Sequence, residues 1–206
     1  MKPMVSVAIL VAVGSCASAC IQGQNSANTA EKASVSEKSL AAEKPFVAGG
    51  SVAMQLDGGG YEVRPGADNH IRVTSSGNTG NARVEIDANG THADVKVKDT
   101  PHSNFRATIE VPATTDLVIR LTGGELVMGA ITGNKDVESY GGNITIAVGD
   151  ANDYSSVDAS VKAGNIDGGV FGGSKSGILQ QFTWSGQGKY TLRAHLGAGS
   201  LVLRNR

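Results

Sequence analysis

The chain has 206 residues, among them 28 glycines and 5 prolines, with 18% charged and 4% aromatic residues. Each glycine inside a helix costs roughly 1 kcal/mol relative to alanine, so this composition argues against a helical protein and for an all-β one. The formal net charge is -1 and the basic residues are scattered among acidic ones. No stripe able to neutralise a run of phosphates exists, and a nucleic-acid partner is not expected.

Residues 1–20 read as an export signal. Lys2 supplies the positive charge, an apolar run follows from Met4 to Val13, and small residues lead to Cys16 and Cys20. Val13-Gly14-Ser15-Cys16 resembles a bacterial lipobox, and Ala17-Ser18-Ala19-Cys20 is a weaker match that also fits ordinary signal cleavage. Either cysteine is a candidate for lipidation, which would anchor the chain in a membrane. The absence of Asp after both cysteines implies the outer membrane by resemblance to bacterial sorting rules. Both cysteines of the chain lie here, so the body has no disulfide or thiolate chemistry. Residues 21–45, rich in Gln, Asn, Ser, Ala, Lys and Glu, read as a disordered polar tether.

From Phe46 the chain alternates apolar and polar residues in short stretches, the period-2 pattern of half-buried strands. Strands are expected over Ser51–Leu56, Tyr61–Arg64, His70–Thr74, Arg83–Asp87, Ala93–Lys98 and Arg106–Val111. Asn89-Gly90 tolerates the positive φ angles of a tight turn, which sets Val84 and Ile86 against Val95 and Val97 in a hairpin. Pro65, Pro101 and Pro112 fall where strands should end.

Beyond Pro112 there is no proline, and a glycine-led repeat begins. Gly124-Glu125-Leu126-Val127-Met128, Gly142-Asn143-Ile144-Thr145-Ile146, Gly164-Asn165-Ile166 and Gly199-Ser200-Leu201-Val202-Leu203 share the order glycine, polar, aliphatic. Their glycines stand 18, 22 and 35 residues apart. Spacing near 20 residues indicates stacked rungs, each turning at a glycine corner, with Leu126, Ile144, Ile166 and Leu201 in one internal column. Met128, Ile146 and Leu203 extend that column. Further half-rungs are expected at Ile131, Val137, Val157, Val161, Val170, Leu179 and Leu192. The fold class expected is all-β, a right-handed parallel β-solenoid with an antiparallel-leaning N-terminal part, formed by residues 46–206 as one domain.

These residues resemble the DUF4097 family of bacterial adhesin-like proteins. The resemblance rests on Tyr61-Glu62-Val63-Arg64 with Asp68-Asn69-His70-Ile71-Arg72-Val73, on Ile109-Glu110-Val111-Pro112 before Leu117-Val118-Ile119, and on the glycine-led repeats. The stretch from Phe182 to Tyr190 with Gly197-Ala198-Gly199-Ser200-Leu201 is similar to the C-terminus of lipoprotein members. The resemblance implies a β-solenoid and no enzymatic activity.

Chemistry-bearing patterns are sparse. Asp150, Asp153 and Asp158 form the best acidic cluster, yet it lacks the spacing of a calcium loop and also fits a solvated turn. The histidines His70, His92, His102 and His195 are spread apart, and no metal or cofactor is expected. No G-x-S-x-G elbow or phosphate-binding loop occurs, so no catalytic residue is assigned. Tyr140, Tyr154, Phe182, Trp184 and Tyr190 would stack on sugar rings if they lined one face, although Phe182 and Trp184 also fit the core or a cap. The function expected is a non-catalytic envelope lipoprotein, an adhesin-like binding or structural scaffold whose partner is a protein or a glycan. Two alternatives stand beside it: a polysaccharide-active β-helix hydrolase or lyase using the three aspartates, and an envelope-stress accessory protein.

Overall fold

A computed structural model describes residues 40–205. Cys16 and Cys20, with the export signal and most of the tether, lie outside the described residues. The strands are β1 (Ala41–Pro45), β2 (Ser51–Leu56), β3 (Gly59–Gly66), β4 (His70–Gly77), β5 (Arg83–Asn89) and β6 (His92–Lys98). They continue as β7 (Phe105–Pro112), β8 (Asp116–Leu121), β9 (Gly124–Met128), β10 (Lys135–Ala147), β11 (Tyr154–Asp167), β12 (Ser174–Ser185) and β13 (Tyr190–Arg204). Two single 3₁₀ turns, at Ala151–Asp153 and Gly169–Phe171, interrupt them.

Alternation in the sequence becomes alternation of burial. In β2, Val52, Met54 and Leu56 are buried while Ser51, Ala53 and Gln55 face outward, and β8 repeats this with Leu117, Ile119 and Leu121. The hairpin of β5 and β6 pairs Val84 with Val97 and Ile86 with Val95, and Gly90 turns it at a φ of 60°. Ala41–Pro45, assigned from sequence to the tether, instead form β1 and pair antiparallel with β4.

All strands belong to one mixed sheet, nearly closed and barrel-like, folded around a single apolar core. Parallel ladders join β6 to β2, β2 to β8, and β8 to the first half of β10. A second set joins β7 to β3, β3 to β9, and β9 to the second half of β10. Thus β10 runs through a corner and serves both faces. β13 lies parallel to it, β11 parallel to β13, and β12 closes the series antiparallel to β11. At the other end β5 and β4 are antiparallel to β6 and β7.

The uniform coil expected from the repeat differs from this sheet in two respects. Layers do not follow chain order: β6 and β7 lie outside β2 and β3, and β13 is inserted between β10 and β11. Both ends are antiparallel. The 35-residue gap between Gly164 and Gly199 is therefore an excursion through β12, after which the chain returns one layer inward.

The rung glycines meet in register. Gly124 pairs with Gly142, Gly142 with Gly199, and Gly199 with Gly164. Their φ angles run from 117° to 142°, and a Cβ on any of them would collide with the carbonyl of a neighbouring glycine. Corner stacking at strand spacing leaves no room for a side chain. Leu126, Ile144, Leu201 and Ile166 are buried beside them in the same spatial order, and Met128, Ile146 and Leu203 are fully buried. Ile131, Val137, Val157, Val161 and Leu192 also point inward, and Val170 is half-buried. Leu179 does not point inward: it is 77% exposed at a left-handed φ of 53°, because β12 turns its corner there.

Candidate functional site

The aromatic side chains sort by burial. Tyr154 and Phe182 are core residues, Trp184 packs on Phe171 with centroids 4.8 Å apart, and Tyr190 lies edge-on to Tyr154 at 6.5 Å. Together they close the β11–β12 end of the core. Tyr140 is different: it is 81% exposed on β10, immediately before the corner glycines Gly141 and Gly142.

Register explains what surrounds it. Ser139 pairs with Leu196 and Gly141 with Ala198, so Tyr140 stands beside Gly197 of β13; Lys162 of β11 stands beside Gly197 on the far side. Two strand spacings put the Tyr140 and Lys162 backbones about 9–10 Å apart across a residue that has no side chain. A Cβ at Gly197 would strike the Tyr140 carbonyl, so the floor is kept bare by backbone crowding. The result is a cleft of about 260 Å³ on the outer surface.

Its polar wall is one outward row of side chains across the sheet, Arg120, Glu138, His195 and Ser160 on adjacent strands. Arg120 donates to Asp136 at 2.7 Å and pairs with Glu138 at 3.2 Å, so its charge is engaged. Ser160 Oγ and His195 Nδ1 share a hydrogen bond of 2.7 Å. The Lys162 ammonium forms no hydrogen bond or ion pair with any described residue. The cleft thus offers an aromatic wall, an unpaired ammonium opposite, and hydroxyl and imidazole groups at one end.

On the other side of the same corner lies a wider trough of about 970 Å³. Its floor includes Gly58, Gly59, Gly123 and Gly142, and the segment from Thr100 to Asn104 overhangs it, held by the Thr100 hydroxyl on the Gly58 carbonyl at 2.7 Å.

The three aspartates do not assemble. Asp150 caps the first 3₁₀ turn by accepting from the Asn152 backbone N–H at 2.9 Å, and Asp153 ends that turn. Asp158 lies four residues along β11 from Tyr154, about 13 Å at strand rise, and accepts from Gln181 Nε2 at 3.1 Å. A hydrolytic carboxylate pair needs a separation of about 5–9.5 Å across a substrate. Among the described residues no group of three or more His, Cys, Asp or Glu side chains is placed to hold a metal, and no helix is long and apolar enough to cross a membrane.

The sequence names Tyr140 among the aromatic candidates, His195 among the scattered histidines and Gly197 only within the C-terminal resemblance, and it does not single out Lys162, Ser160, Glu138 or Arg120. A signal was present. Thr122, Tyr140, Lys162 and Gly197 each stand two residues before a rung glycine, so aligning the repeats by Gly124, Gly142, Gly164 and Gly199 puts them in one column.

A solved structure is similar to this chain. That neighbour, a candidate cell adhesion protein from Clostridium sporogenes, shares 10% identity at a TM-score of 0.45, over 81% of this chain and 99% of its own. No family model and no curated protein matches the chain.

Proposed function

We propose that this protein is a non-catalytic, lipid-anchored envelope scaffold that recognises a glycan at the corner cleft. The observation that carries the reading is Tyr140, a large aromatic held in solvent over a glycine floor while the other ring candidates are drawn into or against the core. An exposed aromatic beside directional polar groups is the arrangement that stacks on a sugar ring and fixes its hydroxyls. The resemblance to DUF4097 proteins supports a solenoid-like, adhesin-like scaffold, and the lipobox-like Cys16 and Cys20 support attachment at the outer membrane or in the periplasm.

The test is binding of the full exported chain to a bacterial and host glycan array, with reducing-end release assayed on the same samples. Saturable binding without release, abolished in Tyr140→Ala, is expected. Release of reducing ends would make the protein an enzyme, and binding that survives Tyr140→Ala would move the site elsewhere.

A further inference from the structure

The cleft is asymmetric in charge, and that asymmetry names a class of sugar. Glu138 and the adjacent Asp136 share the single guanidinium of Arg120, so that end of the cleft is held by ion pairs but carries one more negative than positive charge. Ser160 and His195 engage each other. The remaining ionised group is Lys162, exposed, without a partner, and directly across Gly197 from Tyr140. A pyranose stacked on Tyr140 would occupy the gap of about 9–10 Å between the two walls and present its far edge to the ammonium. A neutral sugar would leave the Lys162 ammonium to water; a ring carboxylate would meet it with a charge-assisted hydrogen bond.

We propose that the Tyr140–Gly197–Lys162 cleft is a subsite for an acidic pyranose, a uronic-acid residue of a polysaccharide, with its ring on Tyr140 and its carboxylate on Lys162. The proposal rests on the glycan-recognition reading above and adds the ligand class. Gly197 defines the subsite by what it omits, since any side chain there would fill the space the ring takes. Ser160 and His195, at the end of the cleft, are placed to meet ring hydroxyls once their mutual hydrogen bond is exchanged for ligand contacts.

The experiment measures binding of the full exported chain to polygalacturonate, alginate and hyaluronan, each beside its carboxyl-reduced counterpart, with poly-glutamate as a polyanion that has no ring. At least one acidic polymer should bind about ten-fold more tightly than its reduced form, the difference a charge-assisted contact supplies. Lys162→Met should bring that polymer's affinity down to that of its reduced form. Tyr140→Ala should remove binding of both. Equal affinity for an acidic polymer and its reduced form, with Tyr140 still required, would overturn the acidic subsite and leave glycan recognition standing. Binding of poly-glutamate as tight as that of the polysaccharides would also overturn it, because charge alone would then suffice. No binding to any polymer of the panel would overturn the subsite, and the array result then decides the wider reading separately.

Discussion

Two kinds of glycine hold this fold, and they fail differently when replaced. Gly90 needs its φ of 60° for the β5–β6 turn but has nothing within 4 Å of a Cβ, so Gly90→Ala should cost about 1 kcal/mol, the left-handed penalty alone. Gly142 combines a φ of 117° with the Gly124 carbonyl where a Cβ would sit, so Gly142→Ala should cost on the order of 3 kcal/mol or more. Urea melts of the two variants separate conformational from steric cost; equal midpoints would mean that the corner ladder yields. Lys135 makes a third residue-scale case. It is buried, and its Nζ donates to the carbonyls of Ile131 and Gly133 and to the Tyr154 hydroxyl, tying the segment before β10 to the start of β11. Burial lowers its pKa to about 8, against the opposing fields of Asp116 and Asp153. Its folded pKa lies below its unfolded one, so the unfolded chain binds more protons between them, and stability should rise from about pH 8 towards 10.5. Burial raises the pKa of Tyr61 and Tyr154, so ionisation in the unfolded chain should reverse that rise above about pH 10. Thermal melts across this range should show the rise in the native chain and none in Lys135→Met.

At the scale of elements, the strands and their inward faces were legible because each strand carries its own evidence: β2 coincides with the alternation over Ser51–Leu56, and Asn89-Gly90 marks the turn of the β5–β6 hairpin. Neighbour relations were not legible, since nothing in β10 or β11 states that β13 will lie between them. The site shares that fate: Tyr140, Lys162 and Gly197 occupy equivalent repeat positions, but only the inserted β13 makes Gly197 the floor between the other two. β12 shows the limit of pattern reading most directly. Leu179 looks like a core residue of a half-rung, yet β12 runs antiparallel as an outer strand and places it at the corner, exposed and left-handed. Asparagine accepts that conformation far better than a leucine, whose penalty there is roughly 1 kcal/mol, and it removes an exposed apolar side chain beside Ile178. Leu179→Asn should therefore raise the melting temperature by about 2–4 °C. A lower melting temperature would show that Leu179 is packed in solution.

The order of layers also governs how the whole molecule should come apart. In a stack wound consecutively, removing the last turn trims one end and leaves the remaining layers paired, because each layer contacts only its neighbours. Here the last strand of the chain is an internal layer, parallel to β10 on one side and to β11 on the other. Truncation after Lys189 removes Leu192, Ala194, Leu196, Leu201 and Leu203 from the core at once, and all five are essentially fully buried. At about 1.5–3 kcal/mol for each of the four leucines, the lost burial alone is comparable to the entire stability of a typical domain. The chain ending at residue 189 should therefore show no cooperative thermal transition and no near-ultraviolet dichroism, although β1 to β12 remain in it. Retention of a cooperative transition would mean that β10 and β11 can pair directly once β13 is gone, which the matching glycines Gly142 and Gly164 would permit at the corner. In that case the cleft should vanish with its floor, and Tyr140 and Lys162 would stand on adjacent strands, about 5 Å apart, too close to admit a ring between them.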